Sequence, residues 1–411
     1  MTTYEHSGAA FAPRSIPLGR PLLVDVKGAV FYLVFCFSGL IAILDVIPYR
    51  MAMASVFVIP LLLIYGIKLD RVLLAHMALV AIVLLSGLWN GSSPTEVLGF
   101  LRIPAFSYLM YRLVSVYVRP DNIRRIIRLC VLVAMIQLPL VVLQQLTYEK
   151  LPIRIAGYAS ARDFDFGTFN VKGDAAMAFF LTLLVVFLLF DRRRNYVIRR
   201  KWIVLPWLTL TVLIANAEGV KVIMLLVWAV YLTRYLNVRT IVYVALAFLL
   251  VIGVLSWAGF LDEIWGDFTR SLRSNLRMDE RKEEVFLTGG YGRGAAIAYY
   301  ARRGILWLGD GPSKYYNVMT RIRQVGNTGH VFTFYSEVGL LGWLCSVLVF
   351  FFIAFPGQGA RIRVSWVGLL SFAAVQLLSF TTEIMNDISV ALIYCIVAKS
   401  YLIMPSEANR R

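Results

Sequence analysis

The sequence predicts an all-α fold: a polytopic membrane helix bundle of about twelve transmembrane helices with one large extracytoplasmic loop. Three observations carry that expectation. Hydrophobic residues make up 59% of the chain and charged residues only 16%, where a soluble domain carries about 25%. The mean hydropathy is +0.73. The apolar residues fall in long runs separated by short connectors rich in Lys and Arg, the pattern that sets membrane orientation.

The N-terminal segment, residues 1–27, lacks a compact apolar core followed by a cleavage site and reads as a cytoplasmic tail. Residues 28–259 hold nine expected spans, near 28–47, 51–67, 72–89, 97–117, 127–147, 173–190, 202–217, 220–234 and 240–259. Residues 331–411 hold three more, near 331–354, 364–382 and 386–404, and a short tail. Pro60, Pro104, Pro139 and Pro206 fall inside expected spans, where neighbouring groups can satisfy the freed carbonyls.

The connectors 119–128, 191–201, 234–239 and 357–363 are basic, and an even number of spans puts them all on one side. The connector 90–96, "NGSSPTE", has no Lys or Arg and falls on the other. The positive-inside rule then places both termini in the cytoplasm. Two outer loops are long, at about 148–172 and 260–330. The second carries eleven Lys and Arg against eight acidic residues. A net positive charge of 17 invites a nucleic-acid reading, but it is spread over connectors and this loop, so no nucleic-acid partner is expected.

Cys36, Cys130, Cys345 and Cys395 lie in apolar runs with no CxxC spacing, so they read as packing residues. No metal is expected: there is no HExxH and no cysteine–histidine pattern, and Asp163 and Asp165 in "RDFDFG" are a faint imitation of a carboxylate pair. No cofactor is expected either.

Chemistry-bearing residues concentrate late in the chain. His330 opens an apolar run, where an imidazole at the membrane boundary reaches an aqueous cavity and can take a proton from a hydroxyl. Glu337 follows two helical turns later, about 10 Å away along a regular helix, too far for contact and suited to bracing the helix. Gly339 and Gly342 permit a close crossing. Glu218 and Lys221 interrupt another apolar stretch at a spacing that allows an ion pair, either neutralising one another in an outer turn or offering Lys221 to a phosphate. Arg102 and Arg112 lie in the fourth span, the second placed to snorkel to its edge. His76 and His6 have no evident partner.

The stretches "GILWLGDGPSKYY" (304–316) and "GHVFTFYSEVGLLG" (329–342) resemble the O-antigen polymerase and O-antigen ligase superfamily of bacterial envelope glycosyltransferases, which are GT-C-like. Members show a Gly-x-Gly-Pro-like stretch, then a His, an aromatic-rich run and Glu-x-Gly-x-x-Gly. Here those positions are Gly309, Gly311, Pro312, His330, Glu337, Gly339 and Gly342. "GGYGRGAAIAYYA" (289–301) resembles the family's Arg-containing stretch, with Arg293 in the arginine's place. A fainter match puts Arg154, Gly157 and Asn170 in the family's Arg-and-Gly loop. Where many members carry Ser-Arg this chain has Glu-Gly-Val-Lys at 218–221, and Lys lacks the bidentate guanidinium fork.

The resemblance implies a metal-independent, inverting transfer on the periplasmic face of the bacterial inner membrane. The donor is a glycan on undecaprenyl diphosphate and the acceptor a sugar hydroxyl. His330 is then the base, and Arg293, Lys221 and Arg154 bind the diphosphate, with Glu337 and Glu218 in support. The leading expectation is a polysaccharide polymerase, whose further partners are membrane lipid, a chain-length regulator and export machinery. The alternative is a ligase that delivers the glycan to lipid A core. A lipid-linked sugar flippase is the rival from another class, although it has no need of a large outer loop ending at a histidine.

Overall fold

The computed structural model describes residues 25–39, 50–147, 167–169, 174–190, 198, 200–215, 217–235, 300, 302–314, 329–355, 357–358, 361–362, 365–380, 384–385 and 387–403. Eleven helices run through them: α1 Val26–Gly39, α2 Arg50–Tyr65, α3 Arg71–Trp89, α4 Pro94–Tyr117, α5 Ile123–Thr147, α6 Asp174–Phe190, α7 Lys201–Ile214, α8 Glu218–Tyr235, α9 His330–Ala354, α10 Trp366–Leu378 and α11 Ile388–Ile403. A two-residue antiparallel ladder, β1 Gly357–Gln358 with β2 Arg361–Ile362, links α9 to α10.

The chain is an all-helical membrane protein by the length and composition of its helices. Four of them, α3, α4, α5 and α9, are long and apolar enough to cross a membrane. Helices α1, α6, α7, α10 and α11 are apolar but shorter. Eleven of the expected apolar stretches coincide with a helix among the described residues; the twelfth, 240–259, and most of the loop 260–330 lie outside them. The four expected internal prolines all sit inside helices.

Helix α6 is the centre of the bundle because its sequence leaves it no polar face. Every residue from Ala176 to Phe190 is buried, and its one hydroxyl, Thr182, donates back to Ala178 O at 2.8 Å. A helix apolar all round must be enclosed. Helices α5, α7, α8, α10 and α11 pack around it. The outer helices reverse the usual pattern of a protein in water: Leu63, Leu88 and Leu146 are 78%, 82% and 76% exposed. Such faces are stable against lipid tails.

The helix ends sort into two groups. At one end the Arg234 guanidinium of α8 lies 4.0 Å from the Trp366 ring at the start of α10. There Tyr231 also packs on Phe190 and Trp202, joining the end of α6 to the start of α7. Arg112 donates to Gly66 O at 2.7 Å and Tyr65 O at 3.0 Å, so it caps the C-terminal end of α2 from inside the bundle rather than snorkelling outward. The described basic connectors gather at this end. At the other end, α3 and α4 meet through "NGSSPTE", where Ser93 and Glu96 form a capping box and Pro94 opens α4.

Candidate functional site

The segment expected as one straight span at 331–354 is two helical arms. Gly339 has φ 75° and ψ −172°, a region that L residues with a side chain scarcely enter. In a continuous helix His330 and Ser346 are about 24 Å apart. Here His330 Nε2 and Ser346 Oγ are 3.1 Å apart, and the His330 ring centre lies 6.1 Å from that of Phe350. The arm His330–Val338 therefore folds back along the arm Leu340–Ala354, with Gly339 at the apex.

Such a break strands backbone groups, and each exposed one buried in an apolar bundle costs several kcal/mol. The loop from Gly304 to Lys314 takes them up. Asp310 N donates to Ser336 O at 2.7 Å and Gly311 N to Glu337 O at 3.0 Å, closing the end of the first arm. Leu340 N donates to Leu306 O at 2.8 Å and Leu341 N to Trp307 O at 3.3 Å, opening the second. Glycine is required where the two segments touch. A Cβ on Gly309 would lie 2.5 Å from the Glu337 carbonyl carbon, and one on Gly339 would lie 2.2 Å from Trp307 O.

Helix α3 and the start of α4 hold this unit in place. Ser86 Oγ reaches Leu308 O at 2.5 Å and Glu337 O at 2.9 Å. Asn90 Nδ2 donates to Gly309 O at 3.2 Å, Lys314 Nζ to Asn90 O at 2.7 Å, and Ser313 Oγ to Glu96 O at 2.9 Å. Arg303 pairs with Asp310 at 2.5 Å. The Glu337 carboxylate, 6% exposed, accepts from Ser313 N at 2.7 Å. Glu337 thus clamps the Gly-Asp-Gly-Pro-Ser turn onto the apex of α9.

His330 differs from its sequence expectation. Expected to open on an aqueous cavity, it is enclosed: the fold-back at Gly339 lays the arm that carries both His330 and Glu337 against the rest of α9 and the end of α10. It is 2% exposed, and its ring centre lies 4.0 Å from that of Phe334. Val331 N donates to Ser379 O at 2.9 Å, tying this end of the arm to the end of α10. Its protonation pattern follows from hydrogen counting. Ser346 Oγ–H donates to Trp343 O at 2.6 Å, and a hydroxyl has one hydrogen, so towards His330 its oxygen only accepts. Nε2 therefore carries hydrogen, and Nδ1 is the basic nitrogen of the neutral ring.

The other expected site residues scatter. Lys221 is half-buried in the first turn of α8, and α8 and α9 both pack against α10. Glu218 begins α8. Arg293 and Arg154 lie outside the described residues. Arg102 is exposed on α4. His76 is a core residue, its Nδ1 on Val72 O at 2.7 Å. Among the described residues no group of three His, Cys, Asp or Glu side chains stands ready for a metal.

Reading the sequence missed Ser86, Asn90, Ser313 and Ser346. Ser313 and Lys314 directly follow the Gly-x-Gly-Pro turn and Asn90 opens a polar connector, so each had a local signal. Ser346 had none, because only the fold-back brings it to His330. Two further polar groups in this region are buried without a hydrogen-bond partner among the described residues: Trp343 Nε1, one turn before Ser346, and Gln376 Nε2, one turn before Ser379. The chain matches no protein-family model and no curated protein sequence.

Proposed function

We propose that the chain is a membrane glycosyltransferase: a polysaccharide polymerase that moves a glycan from undecaprenyl diphosphate to a sugar hydroxyl of a lipid-linked repeat unit. One observation carries the reading. The two motifs of the resemblance, separated in sequence by residues 317–328, fold through their described residues into a single hydrogen-bonded unit around Gly339, at the end of the bundle away from the basic connectors. A broken helix closed by a loop is costly to build and typically lines a binding site in membrane proteins.

In this reading the arm His330–Val338 is a re-entrant segment presenting the base. His330 Nε2–H is held by Ser346, so Nδ1 takes the acceptor hydroxyl's proton as its oxygen attacks the anomeric carbon and the diphosphate departs from the opposite face. The configuration inverts. Lys221, Arg293 and Arg154 stabilise the charge building on the diphosphate oxygens. The unmet donors Trp343 Nε1 and Gln376 Nε2 suit the oxygens of a sugar acceptor, since buried donors are normally satisfied. Glu337 keeps the apex closed. The site faces the periplasm, with both termini cytoplasmic.

The test uses purified full-length protein and a lipid-linked repeat unit, with products resolved by gel. A ladder that disappears in a folded His330→Ala variant supports the reading. Absence of a ladder together with movement of lipid-linked sugar across vesicles by the wild-type chain overturns it in favour of transport.

A further inference from the structure

At the basic end of the bundle, three cations converge where α2, α4 and α11 meet. The connector Gly66–Asp70, "GIKLD", is draped over α4: Arg112 holds Gly66 O and Tyr65 O, and the Tyr108 hydroxyl accepts from Lys68 N at 3.2 Å. One turn further along α4, Ser115 O accepts from Lys399 Nζ of α11 at 2.9 Å. Lys68 and Arg112 lie near enough for their charge to act on that of Lys399.

Among the described residues two carboxylates lie nearby, and both are turned to other work. Asp70 caps α3 through Leu73 N at 2.9 Å and accepts from the Tyr111 hydroxyl at 2.8 Å. Asp25 faces Tyr65 and Tyr117 on the α1 side. The cations keep donors in reserve. A guanidinium has five N–H groups, and Arg112 spends two on the α2 carbonyls. An ammonium has three, and Lys399 spends one on Ser115. The Lys68 ammonium makes no hydrogen bond among the described residues.

The three are graded from inside outward: Arg112 buried, Lys399 half-buried, Lys68 exposed. The rim beside them is apolar and outward-facing, with Leu63, Ile67 and Leu69 exposed at 78%, 69% and 80%. Convergent N–H donors suit a phosphate, and an adjoining apolar rim suits acyl chains. Free phosphate has no use for that rim. We propose that the Lys68–Arg112–Lys399 cluster binds the headgroup phosphate of an anionic phospholipid in the adjacent leaflet. This site depends on the chain being a membrane protein and on no step of the transfer reaction.

Native mass spectrometry of the full-length protein in detergent reads it directly, with phosphatidylglycerol as probe, phosphatidylcholine as neutral control and inorganic phosphate as a third arm. Phosphatidylglycerol is expected to be retained in preference to phosphatidylcholine. The Lys68→Gln, Lys399→Gln double variant is expected to bind it about thirtyfold more weakly, each lysine being worth roughly fivefold beside an anionic headgroup. Glutamine at 399 still offers an N–H to Ser115 O. The Lys68→Gln single variant removes no described side-chain bond, so it tests the site without threatening the fold; about fivefold is expected. Arg119→Gln, an exposed cation at the same end, is expected to change affinity less than twofold. Equal weakening by Arg119→Gln overturns the proposal in favour of a diffuse field. Unchanged binding by the double variant, or phosphate competing off the lipid at stoichiometric levels, overturns it as well.

Discussion

Replacing Gly339 by alanine tests the apex of α9 most sharply. The backbone there has φ 75° and ψ −172°, a conformation that costs a non-glycine residue roughly 2 kcal/mol. The new Cβ would also lie 2.2 Å from Trp307 O and 2.5 Å from Leu308 N, both backbone atoms that cannot rotate away. The loop must retreat, and with it go at least the bonds from Leu340 and Leu341, each worth about 1 kcal/mol net. The sum is about 4 kcal/mol. Gly91→Ala supplies the control: its φ is +58°, yet nothing lies within 4 Å of its Cβ, so only backbone strain of about 1 kcal/mol remains. Thermal unfolding in detergent reads the stability difference, and limited trypsin digestion reads the loop, because release should open cleavage after Lys314. If Gly339→Ala costs no more than Gly91→Ala and leaves Lys314 protected, the fold-back and its loop closure are refuted.

Three other perturbations separate the remaining contacts. Glu337→Ala leaves the half-buried Ser313 N–H without its carboxylate and should cost about 1–2 kcal/mol, with trypsin cleavage after Lys314 as the readout, whereas Glu337→Gln retains an acceptor and should lose about half as much. Ser346→Ala strands the Nε2–H of His330 and should cost about 1–3 kcal/mol by thermal unfolding, and Ser346→Thr should restore most of it. In the polymer assay, Ser346→Ala should slow the ladder more than Ser346→Thr does; equal slowing by both would show that the hydroxyl does not orient the base. Arg112→Ala uncovers two carbonyls at the end of α2 and should destabilise by about 2–3 kcal/mol, with Arg112→Lys recovering part of the loss, measured by chemical denaturation in micelles.

Much of the helix plan is legible in the chain alone, since burial in lipid imposes a composition on each segment that needs no knowledge of its neighbours. The fully apolar run of α6 reads as a span, and the Ser93–Glu96 capping box that opens α4 is a contact between residues three apart, of the kind a local sequence carries. The Gly-Asp-Gly-Pro turn and the His–Glu–Gly helix were both visible as motifs. Their relation to each other was not. Glycine at 339 signals only that a side chain is dispensable there; whether the reason is close packing or a left-handed break depends on what approaches it. The spacing of His330 and Glu337 holds, since both lie in the arm before Gly339; what that spacing leaves open is that one φ angle beyond them reverses the chain and brings Ser346 to His330.

What the sequence determined by itself was class, helix positions and the clustering of charge, all consequences of hydropathy and local hydrogen bonding. Only the tertiary structure decided that His330 is buried against Ser346, that Glu337 clamps the loop, and that Lys68, Arg112 and Lys399 share one corner. The physical reason is the same each time. These are contacts between residues far apart in the chain, and their partners are chosen by where a broken helix sends its unsatisfied backbone and by which helix ends meet, neither of which leaves a local trace.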